Sequence, residues 1–205
     1  MTRTTAYLGR LAGALIAGTL VLAGCADGSS DAADNGRTSS SDTSAGAEST
    51  FNDADVTFAQ GMLPHHQQAI EMAQLAEGRA ADPRVLDLAG RIEAAQAPEI
   101  DTLNRWLADW GADDNMGGMD HGSGDGMGGM MSEEDMTTLM SASGAEFDRM
   151  FLQQMIAHHR GAVDMAVTEA ADGQNTDAIA MAETIRDSQN AEIAEMQQLL
   201  TELGG

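Results

Sequence analysis

The chain has 205 residues, with 33 acidic side chains against 10 basic ones, and a formal net charge of −23. Every basic residue is arginine, none forms a run interleaved with aromatics, and the negative excess repels polyanions, which excludes a nucleic-acid-binding role. A single cysteine excludes a disulfide framework, a cysteine zinc site and an iron–sulfur cluster, so a metal ion would have to be held by His, Met or carboxylate.

The first segment, Met1 to Cys25, combines the positive charges of Arg3 and Arg10 with an apolar run from Leu11 to Ala23 and ends in Leu22-Ala23-Gly24-Cys25. The run is too short and wrongly flanked for a spanning helix and reads as a signal peptide over residues 1–24. Its last four residues resemble the lipobox of bacterial lipoproteins. That resemblance implies cleavage before Cys25, acylation of Cys25, and a membrane anchor on the extracytoplasmic face, with the mature chain two units more negative. Residues 25–50 are Ser, Asp, Ala, Gly and Thr with almost nothing apolar, a composition that cannot offset the entropy of ordering and predicts a flexible tether.

Residues 51–205 are predicted to form the folded domain, and their strongest signal is an internal repeat. Phe58-Ala-Gln-Gly-Met62-Leu-Pro-His65-His66-Gln-Gln-Ala69-Ile-Glu71-Met72-Ala73 matches Phe151-Leu-Gln-Gln-Met155-Ile-Ala-His158-His159-Arg-Gly-Ala162-Val-Asp164-Met165-Ala166 at an offset of 93. The same offset pairs Ile92 with Ile185, Gln96 with Gln189, Glu99 with Glu192, Ile100 with Ile193 and Leu107 with Leu200. Repeat one covers 51–110 and repeat two 144–205, and each reads as a helical hairpin.

In repeat one, Val85, Leu88, Ile92, Ile100, Leu103 and Leu107 recur at helical intervals, as do Ile179, Ile185, Ile193, Met196 and Leu200 in repeat two. Asp82-Pro83 and Asn175-Thr176-Asp177 are helix starts; Gly78 and Gly173 punctuate the turns, and Gly204-Gly205 ends the last helix. Pro64 and Pro98 fall inside predicted helices, where each kinks the helix or frees a carbonyl. Residues 111–143, rich in Gly, Asp and Met, are read as a long connection. Two repeated hairpins with no period-two pattern predict an all-α four-helix bundle.

The residues that carry chemistry sit on the first helix of each hairpin. Met62 lies three residues before His65 and four before His66, so thioether and imidazoles share a face, and Met155, His158 and His159 repeat the arrangement. This soft-to-borderline donor set suits copper(I) and tolerates silver(I). If the first helices of the two repeats are neighbours, the doublets meet and build one shared site. Methionines at helical spacing, such as Met72, Met165, Met181 and Met196, read as core filler more readily than as ligands, so Met72 and Met165 are weaker candidates. The connection adds Met116, Met119, His121, Met127, Met130 and Met131, which have no core to fill and offer a second set of soft donors.

The pattern Phe-x-x-x-Met-x-x-His-His-x-x-Ala-x-x-Met-Ala, occurring twice, resembles the family known as domain of unknown function 305. The resemblance covers roughly Asn52 to Leu203 apart from the Met/Gly insertion. It implies a ferritin-like bundle and copper handling outside the cytoplasm through Met and His, in sequestration, chaperoning or resistance, with a protein that donates or accepts copper as a partner. Two other readings stand beside it. A ferritin-like two-metal oxidase needs Glu-x-x-His pairs, yet Met62 and Met155 stand three residues before the first His, and Glu99 and Glu192 have no accompanying His on their helices. An interaction module with a pH-sensitive histidine core is the third, with Trp106 and Trp110 as core or partner contact. No nucleophile elbow, phosphate loop or triad is present, so a non-enzymatic role is expected.

Overall fold

The computed structural model describes residues 50–112 and 128–204. Cys25, the signal segment 1–24, and Met116, Met119, His121 and Met127 lie outside the described residues. Among the described residues the chain is all-helical, with α1 Asp53–Gln74, α2 Pro83–Asp109, α3 Glu133–Ser141, α4 Gly144–Asp172 and α5 Thr176–Glu202.

The caps start the helices where their chemistry dictates. Asn52 accepts from the Ala54 and Asp55 amides while Asp55 accepts from the Asn52 amide, a reciprocal capping box. Asp82 and Pro83 open α2, and Asn175 caps α5 through the amides of Asp177 and Ala178. Gly78 takes a φ of 75° in the first hairpin turn, a region that suits glycine. Gly173 has no such need. It is required for room, since a Cβ there would stand 2.5 Å from Oε1 of Glu169. Helices α1 and α2 run unbroken through Pro64 and Pro98.

Each hairpin packs on itself, α1 on α2 and α4 on α5, and the two hairpins meet along α1 and α4. Phe58 to Leu63 share one core cluster with Ala162 and Ala166, while Ala69 to Ala76 share the other with Phe147 to Ile156. Helices α1 and α4 are therefore antiparallel, and the 93-residue offset corresponds to a pseudo-two-fold axis that crosses between them. Trp110 stacks on Phe51 at 5.0 Å and on Trp106 at 5.7 Å, and both tryptophans pack against the Phe58 cluster.

The connection differs from its predicted form in one respect. Residues 133–141 are a helix, started by a second capping box in which Ser132 and Asp135 exchange hydrogen bonds and held by Leu139, which is fully buried. Three acids in its first turn favour the helix N-terminus. The low-complexity composition around it hid this short element. Met131 and Met136 also pack against the Phe147 cluster, so they do have a core to fill.

Candidate metal centre

The repeat brings its histidines to the middle of the bundle, between the two apolar clusters. All four are fully buried. The His65 and His158 rings face each other across the α1–α4 seam with centroids 3.7 Å apart, and the His159 ring is 6.4 Å from that of His158. His66 lies against Glu99 of α2 at 2.6 Å, and His159 against Glu192 of α5 at 2.7 Å. The offset that predicts the repeat thus reproduces a carboxylate–imidazole pair in each hairpin.

These contacts set the tautomers. A carboxylate can only accept, so Nε2–H of His66 and of His159 donates to its glutamate, and Nε2–H of His65 donates to the Gly128 carbonyl at 3.3 Å. Nδ1 of all three is left as a buried lone pair with no partner, and His158 has no partner at either nitrogen. Buried imidazole nitrogens are ordinarily satisfied, and an imidazole oriented by a carboxylate with its other nitrogen free is the arrangement that supports metal ligands. Gln96 and Gln189, one helical turn before Glu99 and Glu192, are buried and each has an unpartnered Oε1.

The electrostatics favour neutral rings at the seam. Burial, and then repulsion from His66, push His65 down to about 3, the Gly128 carbonyl opposing them. Burial, and then repulsion from His65, hold His158 well below the ordinary histidine range. Both rings therefore keep a lone pair at neutral pH.

Met62 and Met155 are fully buried and one helical turn from the doublets, but the antiparallel packing separates them. Met62 belongs to the Phe58 cluster and Met155 to the Phe147 cluster, so the thioethers flank the imidazole layer from opposite ends. Among the described residues no three of His, Cys, Asp and Glu converge to hold an ion. Met72 sits wholly inside the Phe147 cluster, whereas Met165 is half-buried with Sδ beside Gly61.

The end of the connection crosses this centre. A Cβ on Gly161 would overlap the Gly128 carbonyl, and one on Gly129, whose φ is 88°, would stand 2.6 Å from the Ala157 oxygen. The Gly128–Gly129 backbone therefore lies directly on α4. On the α1 side the Gln68 side chain accepts from the Met131 amide at 2.7 Å and donates to its carbonyl at 2.9 Å. Gln68 and Gly161 occupy equivalent repeat positions, so the departure from the repeat is what seats this strap.

Three acids carry roles that the motif does not reveal. Asp55 of α1 accepts from the Gln174 and Asn175 amides of the opposite hairpin turn, and Asp148 of α4 accepts from the equivalent amides of Ala81 and Asp82. Burial pushes Asp55 up, but the amides of Asn52, Asn175 and Gln174 outweigh it and hold the group low. Glu169 stands where the first repeat has Ala76. It is 1% exposed and no protein donor meets either oxygen. Burial first, then the neighbouring Asp55 carboxylate, raise it to about 8, so at neutral pH it carries the proton that lets it donate to Asp55. The shared offset of Asp55 and Asp148 is the signal that could have found the first two.

Comparison with known proteins adds what the geometry lacks. The profile of a domain of unknown function, DUF305, matches residues 55–200. A solved DUF305 protein from Streptomyces coelicolor, described as secreted, is 33% identical with a TM-score of 0.66, over 74% of this chain and 94% of that one. CopM in its Cu(I)-bound form is 31% identical with a TM-score of 0.60, over 74% of this chain and 98% of CopM. CopM has also been solved in Cu(II)-bound and silver-bound forms. An uncharacterized protein of Acanthamoeba polyphaga mimivirus is 40% identical over 53 residues, 26% of this chain, and the match spans 35% of that protein.

Proposed function

Because the chain belongs to the DUF305 family, most of its length being matched by that family's profile, we propose that it is an extracytoplasmic copper(I)-binding protein, tethered to the membrane through an acylated Cys25. It holds copper(I), and silver(I) as a surrogate, for sequestration, chaperoning or resistance, and exchanges the ion with a partner protein. The observation that carries this reading is the set of buried nitrogens with free lone pairs, three of them on rings oriented by a carboxylate or carbonyl acceptor. The copper- and silver-bound forms of CopM, a protein of the same fold, support it. Among the described residues no helix is long and apolar enough to cross a membrane.

His65, His66, His158 and His159 supply the borderline donors, and Met62 and Met155 supply thioethers from either side. Neutral rings at the seam need release no proton to bind a cation. Binding rather than two-metal oxidation is favoured by the use of Glu99 and Glu192 as partners of imidazoles rather than as a converging carboxylate cage. Anaerobic titration of the mature protein against a coloured copper(I) chelator tests the reading, with zinc(II) as competitor. Copper(I) is expected to bind and zinc(II) to compete weakly; uptake of zinc with indifference to copper(I) overturns it. Because His65 and His158 face each other, one shared site is expected, and the folded His158→Ala/His159→Ala variant is expected to lose high-affinity binding altogether. Retention of half would mean two separate sites.

A further inference from the structure

The imidazole layer is fully buried, so an ion needs a way through the helices. Beside it, between α1 and α4, lies a cavity of about 500 Å³ lined by Asp53, Thr57, Gly128 and Thr168 toward solvent and by Gly61, Met165 and Glu169 further in. Two of its features point to a cation. Met165 and Glu169 are four residues apart on α4, hence on one face, and place a thioether and a carboxyl in the same wall. Glu169, almost completely buried, has both oxygens without a protein donor. A third feature points to the destination. Gly128 lines the cavity and its carbonyl accepts from Nε2 of His65, so one residue of the cavity wall touches a ring of the seam.

The pseudo-symmetry sharpens the assignment. At the equivalent place in the other half, Gln154 replaces Gly61 and Ala76 replaces Glu169. Gln154 reaches the Asp135 carbonyl of α3, and Leu139 and Met136 of α3 pack on the Phe147 cluster there. Both approaches have an exposed acid at the mouth, Asp53 here and Glu146 there, but among the described residues α3 covers the other one, and only this one has a buried acid, Glu169, in its wall. Asp53 at the mouth, on a chain of strong negative charge, favours arrival of a cation.

We propose that this cavity is the port by which copper(I) reaches the buried histidines, with the Met165 thioether and the Glu169 carboxyl as its receiving ligands. The inference rests on the copper-binding reading above and adds the route. The ion binds the sulfur lone pair and a Glu169 oxygen, and the proton that Glu169 donates to Asp55 leaves to solvent as that hydrogen bond breaks. The ion then passes to Nδ1 lone pairs at the seam as the Gly128 carbonyl gives way.

The test separates rate from affinity. Stopped-flow transfer of copper(I) from a coloured chelator is followed for the mature protein and for Met165→Leu, Glu169→Gln and their double variant, with Thr57→Trp to plug the mouth should the α4 variants misfold. Uptake is expected to slow by about tenfold or more in the double variant, equivalent to a barrier raised by about 1.4 kcal/mol, while equilibrium affinity and stoichiometry stay within about twofold. An unchanged uptake rate in the folded double variant overturns the port and leaves the histidine site standing. Loss of affinity matching the loss of rate also overturns it, because the two residues would then belong to the holding site. Failure of the unaltered protein to take up copper(I) overturns the copper-binding reading itself, and the port with it.

Discussion

Gly161 lies inside α4, where exchanging glycine for alanine ordinarily stabilises a helix by about 1 kcal/mol. Here the added Cβ would overlap the Gly128 carbonyl and stand 2.8 Å from the Gly129 nitrogen, so the strap must lift. Lifting it puts three hydrogen bonds at risk: His65 to the Gly128 carbonyl and the two between Gln68 and Met131. At about 1 kcal/mol each, their loss outweighs the propensity gain and leaves Gly161→Ala destabilised by about 1–2 kcal/mol. Gly90, inside α2 with open space around its missing Cβ, is the internal control, and Gly90→Ala is expected to be stabilised by about 0.5–1 kcal/mol. Urea unfolding at pH 7 followed by circular dichroism measures both, provided the dependence on urea is unchanged. If Gly161→Ala stabilises the protein as Gly90→Ala does, the strap does not rest on α4 and the account of how His65 is capped fails.

Asp148→Ala leaves the Ala81 and Asp82 amides without their acceptor and is expected to cost about 2–4 kcal/mol by chemical denaturation, against under 1 kcal/mol for exposed Asp87→Ala. Stability is expected to be dome-shaped in pH. On the acid side, the folded state resists protonation of His65, held near 3 against about 6.5 when unfolded, so stability is full above 6.5 and lost as pH falls toward 3. On the alkaline side, Glu169 is raised to about 8 from 4.5, so its contribution is full below 4.5 and lost as pH rises to 8. Thermal melts from pH 4 to 9 check both limbs. Glu169→Gln is expected to flatten the alkaline limb alone, and a variant whose melting temperature falls above pH 7 as steeply as the parent's would contradict the assignment.

The four long helices were legible because their apolar residues recur at helical spacing and their caps are chemically explicit at Asp82-Pro83 and Asn175. The meeting of His65 with His158 followed from one offset shared by two doublets. What the sequence could not show was direction. An offset says that two units are alike, not whether their first helices run parallel, and the antiparallel answer sends Met62 and Met155 to opposite ends. Helix α3 escaped because nine residues of ordinary helical composition sit within a Met/Gly tract. Asp55 and Glu169 escaped because an acid near a helix end reads as a solvated cap, and only packing reveals which is buried. The Gln68 and Gly161 exchange looked like repeat drift until a backbone was found lying across it.

The clasp by which Asp55 and Asp148 each bind the other hairpin's turn has a consequence for assembly. A hairpin of this kind carries both halves of the fastening, an acid near the start of its first helix and two amides in its own turn. Two copies of it about a true dyad would satisfy each other in full, which is the definition of an isologous interface. The covalent connection then acts chiefly as a tether that raises the effective concentration of one half at the other. Hairpins supplied as separate polypeptides, 50–112 and 128–204, retain every clasp contact and are expected to find each other in solution, with the second piece bringing the strap.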